Sequence, residues 1–296
     1  MANNPNLIAY ANGTYRPDQT NTKQQVKLKN RLLVPIAFTL INSDGSLSGT
    51  REKVNPGKDS DKIDSFVGAA WLVTLETTGA LIDVVVVAQE DGTSDLRVDQ
   101  SNLPTPSIVG TPPADDDVPT FLVAQGVDPK NDDKTITREL WWFLTSDSTS
   151  LAPGESRMWK FSLSEGVEDS ATSLTEMSSQ LGTSASAGWG PISTSIEHSL
   201  SKSSSTSQTV TLTTSRTQEE TRSLANTLGK GDMTVRVWQV RERYTVWKND
   251  ATKEVVQIIN DTSHVQAVTT YSDGSSEVQE LDLQTADAQT SDALSA

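Results

Sequence analysis

Between Ser170 and Ser223, 27 of 54 residues are Ser or Thr, and Trp189 is the only aromatic. Strand-forming sequence stands on both sides: ITRELWWFLTS and SRMWKFSLS before it, MTVRVWQVRERYTVW after it. A structureless loop of this length is uncommon inside a compact domain. The expected arrangement is a long, weakly packed pair of amphipathic strands. Such strands can leave a parent domain and close into a barrel in a lipid bilayer.

A barrel strand takes roughly 9–11 residues, with one lipid face and one aqueous face. Read as a strand, Ile192, Thr194, Ile196, His198 and Leu200 share one side, and Ser193, Ser195, Glu197, Ser199 and Ser201 the other. Val210 and Leu212 alternate with Thr209, Thr211 and Thr213 in the same way. The membrane-inserting set is then Trp189, Ile192, Ile196, Leu200, Val210 and Leu212, with Ser193, Ser195, Glu197 and Ser199 lining a pore. Glu197 would favour cations in the lumen. Trp189, between glycines in AGWGP, suits either a bilayer interface at a hairpin tip or a turn tucked back on the body. A rival reading remains open. Leu174, Met177 and Leu181 are spaced by three and four, and Ile192, Ile196 and Leu200 fit a helix face nearly as well as a strand, so a pair of amphipathic helices is the alternative.

Composition narrows the function. A net charge of −15 with no Lys/Arg-rich run sets the chain against nucleic acid and anionic membrane surfaces. The absence of cysteine excludes disulfides, thiol nucleophiles and thiolate metal sites. The N-terminal stretch MANNPNLIAYANGTYRPDQ has no basic region followed by an apolar one. The longest apolar run, near Leu81 to Ala88, is far below the ~20 residues of a membrane helix. The expectation is synthesis as a soluble cytoplasmic protein, without a signal peptide, that is later released and acts at a target-cell membrane.

Residues 24–98 alternate apolar and polar positions in the runs QVKLKNR, VPIAFTLI, SFVGAAWLVTL and ALIDVVVVAQ, separated by Asp-Gly and Pro-Gly turns. This reads as a small β-sandwich. NLPTPSIVGTPPADDD marks a connection, so the expected domains are 1–112 and 113–296, with a disordered tail at 285–296. Met233 to Trp247 reads as one long strand, its parity shifting near Trp238 as at a β-bulge.

Two families resemble parts of the chain. Asn30-Arg31, Val34-Pro35, Asp44-Gly45, Pro56-Gly57 and Ser65-Phe66-Val67-Gly68 leading to Trp71 resemble the β domain of the von Hippel–Lindau family. That resemblance implies a sandwich that binds peptides or proteins, with Ser65 and Trp71 at matching partner-binding positions and Ala69 where the family has a His. Residues 118–283, strands flanking a Ser/Thr-rich insertion, resemble the aerolysin-like β-pore-forming toxins. This second resemblance implies an elongated β domain whose insertion becomes a transmembrane hairpin in a homo-oligomeric ring.

Catalytic and metal chemistry find little footing. The two histidines, His198 and His264, lie far apart in sequence, and Asp115-Asp116-Asp117 lacks the spaced ligands of a calcium loop. No G-x-S-x-G elbow accompanies the many serines. Alternation puts Trp141 and Trp142 on opposite faces, at least one of them in a core. The expectation is an all-β, non-enzymatic, cofactor-free protein that recognises an unidentified receptor, oligomerises and inserts a β-hairpin into target membranes. A non-lytic adhesin, a protein- or carbohydrate-binding β protein, and an intracellular scaffold are the alternatives.

Overall fold

The computed structural model describes residues 3–113, 118–128, 130–145, 148–204, 207–248 and 255–281. Asp115–Asp117 and the tail from residue 285 lie outside the described residues. Helix α1 (Pro5–Ala11) starts where the Asn4 side chain accepts the Asn6 N–H and where Pro5 supplies a helix-compatible φ. The alternating runs then become β1 (Lys23–Asn30), β2 (Ile36–Ile41), β3 (Leu47–Val54), β4 (Asp59–Phe66), β5 (Ala70–Leu75), β6 (Leu81–Val86) and β7 (Thr93–Val98). β4, β1 and β7 form a three-stranded sheet. It packs on β2, β5 and β6 through Val26, Leu28, Phe38, Val73, Ile82 and Val98. This is the β-sandwich expected for the N-terminal region. Asn30 is wholly buried yet satisfied: its amide donates to the carbonyls of Val34 and Val54 at 2.8 and 2.9 Å and accepts from the Leu32 N–H at 2.8 Å.

The rest of the chain supplies β8 (Phe121–Asp128), β9 (Asn131–Leu144), β10 (Thr149–Leu151), β11 (Ser156–Val167), β12 (Arg216–Ala225), β13 (Met233–Lys248), β14 (Val256–Tyr271) and β15 (Ser276–Glu280). One sheet runs β12-β11-β14-β13-β9-β8-β6-β5-β2-β3, with β10 on β13 and β15 on β14. The β6–β8 pairing, at Leu81 and Phe121, is the parallel join between the two regions. One apolar cluster takes Leu7 and Leu72 from before residue 112 and Phe121, Leu140, Trp142 and Trp238 from after it. The regions expected as separate domains thus share a sheet and side-chain packing. The β13–β14 register shifts between Gln239 and Arg241, within two residues of the expected bulge near Trp238.

The fold is all-β apart from α1, α2 (Ser170–Leu181), α3 (Trp189–Ser203) and short 3₁₀ turns. Here the structure departs from the expected Ser/Thr-rich strand hairpin: α2 and α3 are helices, and among the described residues of that segment only β12 is regular strand. The reason is physical. Apolar residues at three- and four-residue spacing meet an apolar patch on β8, β9, β13 and β14, which a helix face can cover.

Candidate functional site

Helices α2 and α3 form a unit laid on the sheet, α3 against β8 and α2 along β14. Met177, Leu181, Ile192, Ile196 and Leu200 are fully buried against Ile136, Val167, Tyr244, Val246 and Ile258. Each such side chain contributes roughly 1.5–3 kcal/mol of transfer free energy. The approach of α3 to β8 requires glycine at position 126, because a Cβ there would run into the Ser199 carbonyl. Alongside α3 and also against the sheet runs an extended segment, residues 207–213, in which Gln208, Val210 and Leu212 point inward.

That segment is clasped to α3 through its backbone. Glu197 Oε2 accepts the Val210 N–H at 3.2 Å, Ser193 Oγ the Leu212 N–H at 3.2 Å, and Ser201 Oγ the Gln208 N–H at 3.2 Å. The geometry follows from two repeats. Four helical residues advance about 6.0 Å, and two extended residues about 6.6 Å. Side chains at every fourth helical position therefore meet N–H groups at every second extended position. Asn260 adds a bond from its amide to the Thr211 carbonyl at 3.2 Å.

The floor beneath is polar as well as apolar. Arg138 on β9 and Glu242 on β13 form a buried ion pair; the Tyr244 hydroxyl donates to Glu242 at 2.6 Å, and Arg138 reaches Gln208 Oε1 at 3.2 Å. Burial, reinforced by the neighbouring Glu242 charge, holds the Tyr244 hydroxyl well above its ordinary pKa, so it stays a donor. At the root of α2, Arg241 bridges Asp261 at 2.5 Å and Glu168 at 2.8 Å. Six buried side-chain polar atoms in or under the unit have no hydrogen-bond partner among the described residues: Arg138 Nε, Ser178 Oγ, Thr183 Oγ1, Trp189 Nε1, Ser195 Oγ and Asn260 Oδ1. Each such atom costs roughly 1–3 kcal/mol. The unit is held by an apolar core, and these atoms oppose part of its gain.

The structure gathers most of the residues singled out from sequence, in a geometry other than the expected one. Trp189, Ile192, Ile196, Leu200, Val210 and Leu212 are buried together. Ser195 and Ser199, expected opposite the isoleucines, lie on the same buried helix side as Ile192 and Ile196, while Ser193 and Glu197 flank it and hold the extended segment. A period of 3.6 replaces a period of two. Ser65 and Trp71, expected at a partner surface, are interior at 6% and 1% exposure, and Trp71 belongs to the sandwich core. The strand reading puts Ser201 on the hydroxyl face and gives it no role. Arg138, Gln208, Glu242, Tyr244, Asn260 and Gly126 were not singled out, since their importance arises from pairing across strands distant in sequence.

A concavity of about 820 Å³ opens beside α1, away from this unit. Among the described residues no three His, Asp or Glu side chains gather as a metal-binding group, and no helix is long and apolar enough to cross a membrane.

No family model matches the chain, and no curated protein matches it. The von Hippel–Lindau resemblance thus finds no support there. Among solved structures, the crystal structure of Cry35Ab1 is similar at 12% identity and a TM-score of 0.35, over 77% of this chain. The chain spans 64% of the length of that structure's chain.

Proposed function

We propose that this chain is a pore-forming protein that stores its membrane hairpin as the α2–α3 unit. The supporting observation is the register of the β11–β12 ribbon. These strands pair antiparallel from Ser156–Ala225 to Glu165–Arg216 without a shift. Continued in that register, Ala171 meets Val210, Leu181 meets Leu200 and Trp189 meets Ile192. Gly190-Pro191 is left as a two-residue turn, with Gly first as a type II′ turn requires and Pro at a position whose φ suits it.

The faces then sort. Of the thirteen apolar side chains from Val167 to Thr214, proline aside, twelve fall on one side, and only Leu174 falls on the other. The opposite side carries Ser184, Ser186, Ser193, Ser195, Glu197 and Ser199. Residues 181–189 and 192–200 match the ~9–11 residues of a membrane strand. Asp169 and Lys202, ionisable groups on the apolar side, lie outside those strands, and His198 lies within them. Hydrocarbon leaves strand edges unsatisfied, so the hairpin works only in a closed ring of copies. Receptor recognition and release to a target membrane belong to the same reading, and no catalysis is assigned.

Dye release from vesicles and from whole cells tests this, read with the appearance of an SDS-resistant oligomer. No leakage from any vesicle or cell, with the protein monomeric throughout, overturns the reading. The concavity beside α1 favours a second one, a binding protein that does not permeabilise membranes.

A further inference from the structure

The concavity beside α1 lies between the end of that helix, the segment from Ile108 to Pro113 and the start of β8. Its volume of about 820 Å³ is within the range of small-ligand sites, roughly 300–1,000 Å³. Leu81, Phe121 and the Trp142 indole give it an apolar floor. Trp142 is fixed there, 3% exposed, with its Nε1 donating to the Val109 carbonyl at 2.9 Å. In a chain with a net charge of −15, none of the described lining residues is charged. Tyr10, Asn12, Thr111 and Thr120 also line it, and none of these side chains makes a hydrogen bond with another described residue. Tyr10 is half-buried, and that burial raises its pKa, so its hydroxyl stays neutral.

We infer that this cleft binds a neutral saccharide. An ionic ligand entering it would lose water without gaining a counter-charge from any described lining residue, which is costly. Asn12 and Thr111 are exposed, and Tyr10 and Thr120 half-buried. An acyl chain or sterol would strip water from these four polar side chains without replacing its hydrogen bonds, at up to about 1–3 kcal/mol for each one fully covered. A neutral sugar fits both constraints. Its hydroxyls pair with the Tyr10 and threonine hydroxyls and the Asn12 amide, and its apolar C–H face rests on the Tyr10 ring. Tyrosine suits this role because it offers an apolar body with a polar tip. The site stands independently of the membrane reading, since it shares no residue with the α2–α3 unit.

The test uses the full chain and a panel of glucose, galactose, mannose, N-acetylglucosamine and their β-linked disaccharides. Saturation-transfer NMR and Trp fluorescence are the readouts. The expected result is saturable binding of at least one neutral sugar and little binding of glucuronate or glucose 6-phosphate. Y10A and N12A should weaken it about tenfold, the equivalent of one good contact. Y10F and T120V, which remove only a hydroxyl or replace it with a methyl, should weaken it less, with melting temperature and circular dichroism unchanged. Three outcomes overturn the assignment. They are no saturable binding of any neutral sugar, equal binding by correctly folded variants, or binding of decanoate or a proline-rich peptide that sugar does not displace. Leakage from sugar-free vesicles reads the membrane function separately.

Discussion

The carboxylate of Glu197 on α3 accepts the backbone N–H of Val210 at 3.2 Å, so one acidic side chain ties a helix to the extended chain that follows it. Removing that acceptor as Glu197→Ala leaves a half-buried N–H unpaired, a loss of roughly 1–3 kcal/mol in docking of residues 207–213. The expected outcome is faster amide exchange at Val210 and Leu212 and earlier onset of vesicle leakage. Glu197→Gln keeps an acceptor and should lie between wild type and alanine. Unchanged exchange in Glu197→Ala would remove the clasp as an energetic feature.

Gly126 is the point where β8 passes closest to α3. In Gly126→Ala the added methyl collides with the Ser199 carbonyl. Forced overpacking of this kind costs roughly 1–3 kcal/mol or more. Thermal melting should show a lowered midpoint, and limited proteolysis should cut first within residues 182–188 or 204–215. A melting curve superimposable on wild type would mean that α3 is not seated as described.

His198 and Ser184 are both exposed in the helical form. In the continued ribbon register they fall at nearly equal depth on opposite faces. An Arg on the lipid face near mid-membrane costs roughly 2–4 kcal/mol per strand, whereas a lumen position bears it. His198→Arg should therefore abolish leakage with solution stability intact. Ser184→Arg should still leak and shift ion preference toward anions. Equal leakage from the two variants rejects the register.

Burial raises the Asp261 carboxyl above the ordinary aspartate pKa of 3.8; Arg241 opposes the shift and Glu168 adds to it. Between 3.8 and the raised value the folded chain holds a proton that the unfolded chain has lost. Stability from this group is therefore greatest at the acid end of that window and falls as pH rises through the folded pKa. Asp261→Asn should flatten that slope in denaturant unfolding followed across acidic pH. Parallel slopes in the two proteins would dismiss the linkage.

Much of the fold was legible. Period-two alternation with Asp-Gly and Pro-Gly turns gave the strands of the sandwich, and the parity shift in MTVRVWQVRERYTVW came within a residue or two of the Gln239–Arg241 bulge. Residues 192–200 were legible only halfway. Ile192, Ile196 and Leu200 recur every four residues, an interval that is even, as a strand face demands, and close to one helical turn. Sequence periodicity cannot separate the two states there. The tertiary surface decides, and β8, β9, β13 and β14 offer a flat apolar patch that a helix fills. Trp71 was misplaced for another reason: a pocket position inherited from a resemblance says nothing about which side of a sheet a side chain takes. Arg138, Glu242 and Gln208 were invisible because their meeting depends on three segments brought together by the fold.

Asp169, between β11 and α2, has φ of +46°, and among the described residues it is the one non-glycine residue with a positive φ. An L-residue held in that region sits roughly 1–2 kcal/mol above its right-handed or extended alternatives. On the proposed conversion to a hairpin, straightening the joint at Asp169 would return energy at the first step, before any helix has unwound. The bend works like a cocked hinge, and substitution by glycine, which bears that angle without penalty, would leave it slack.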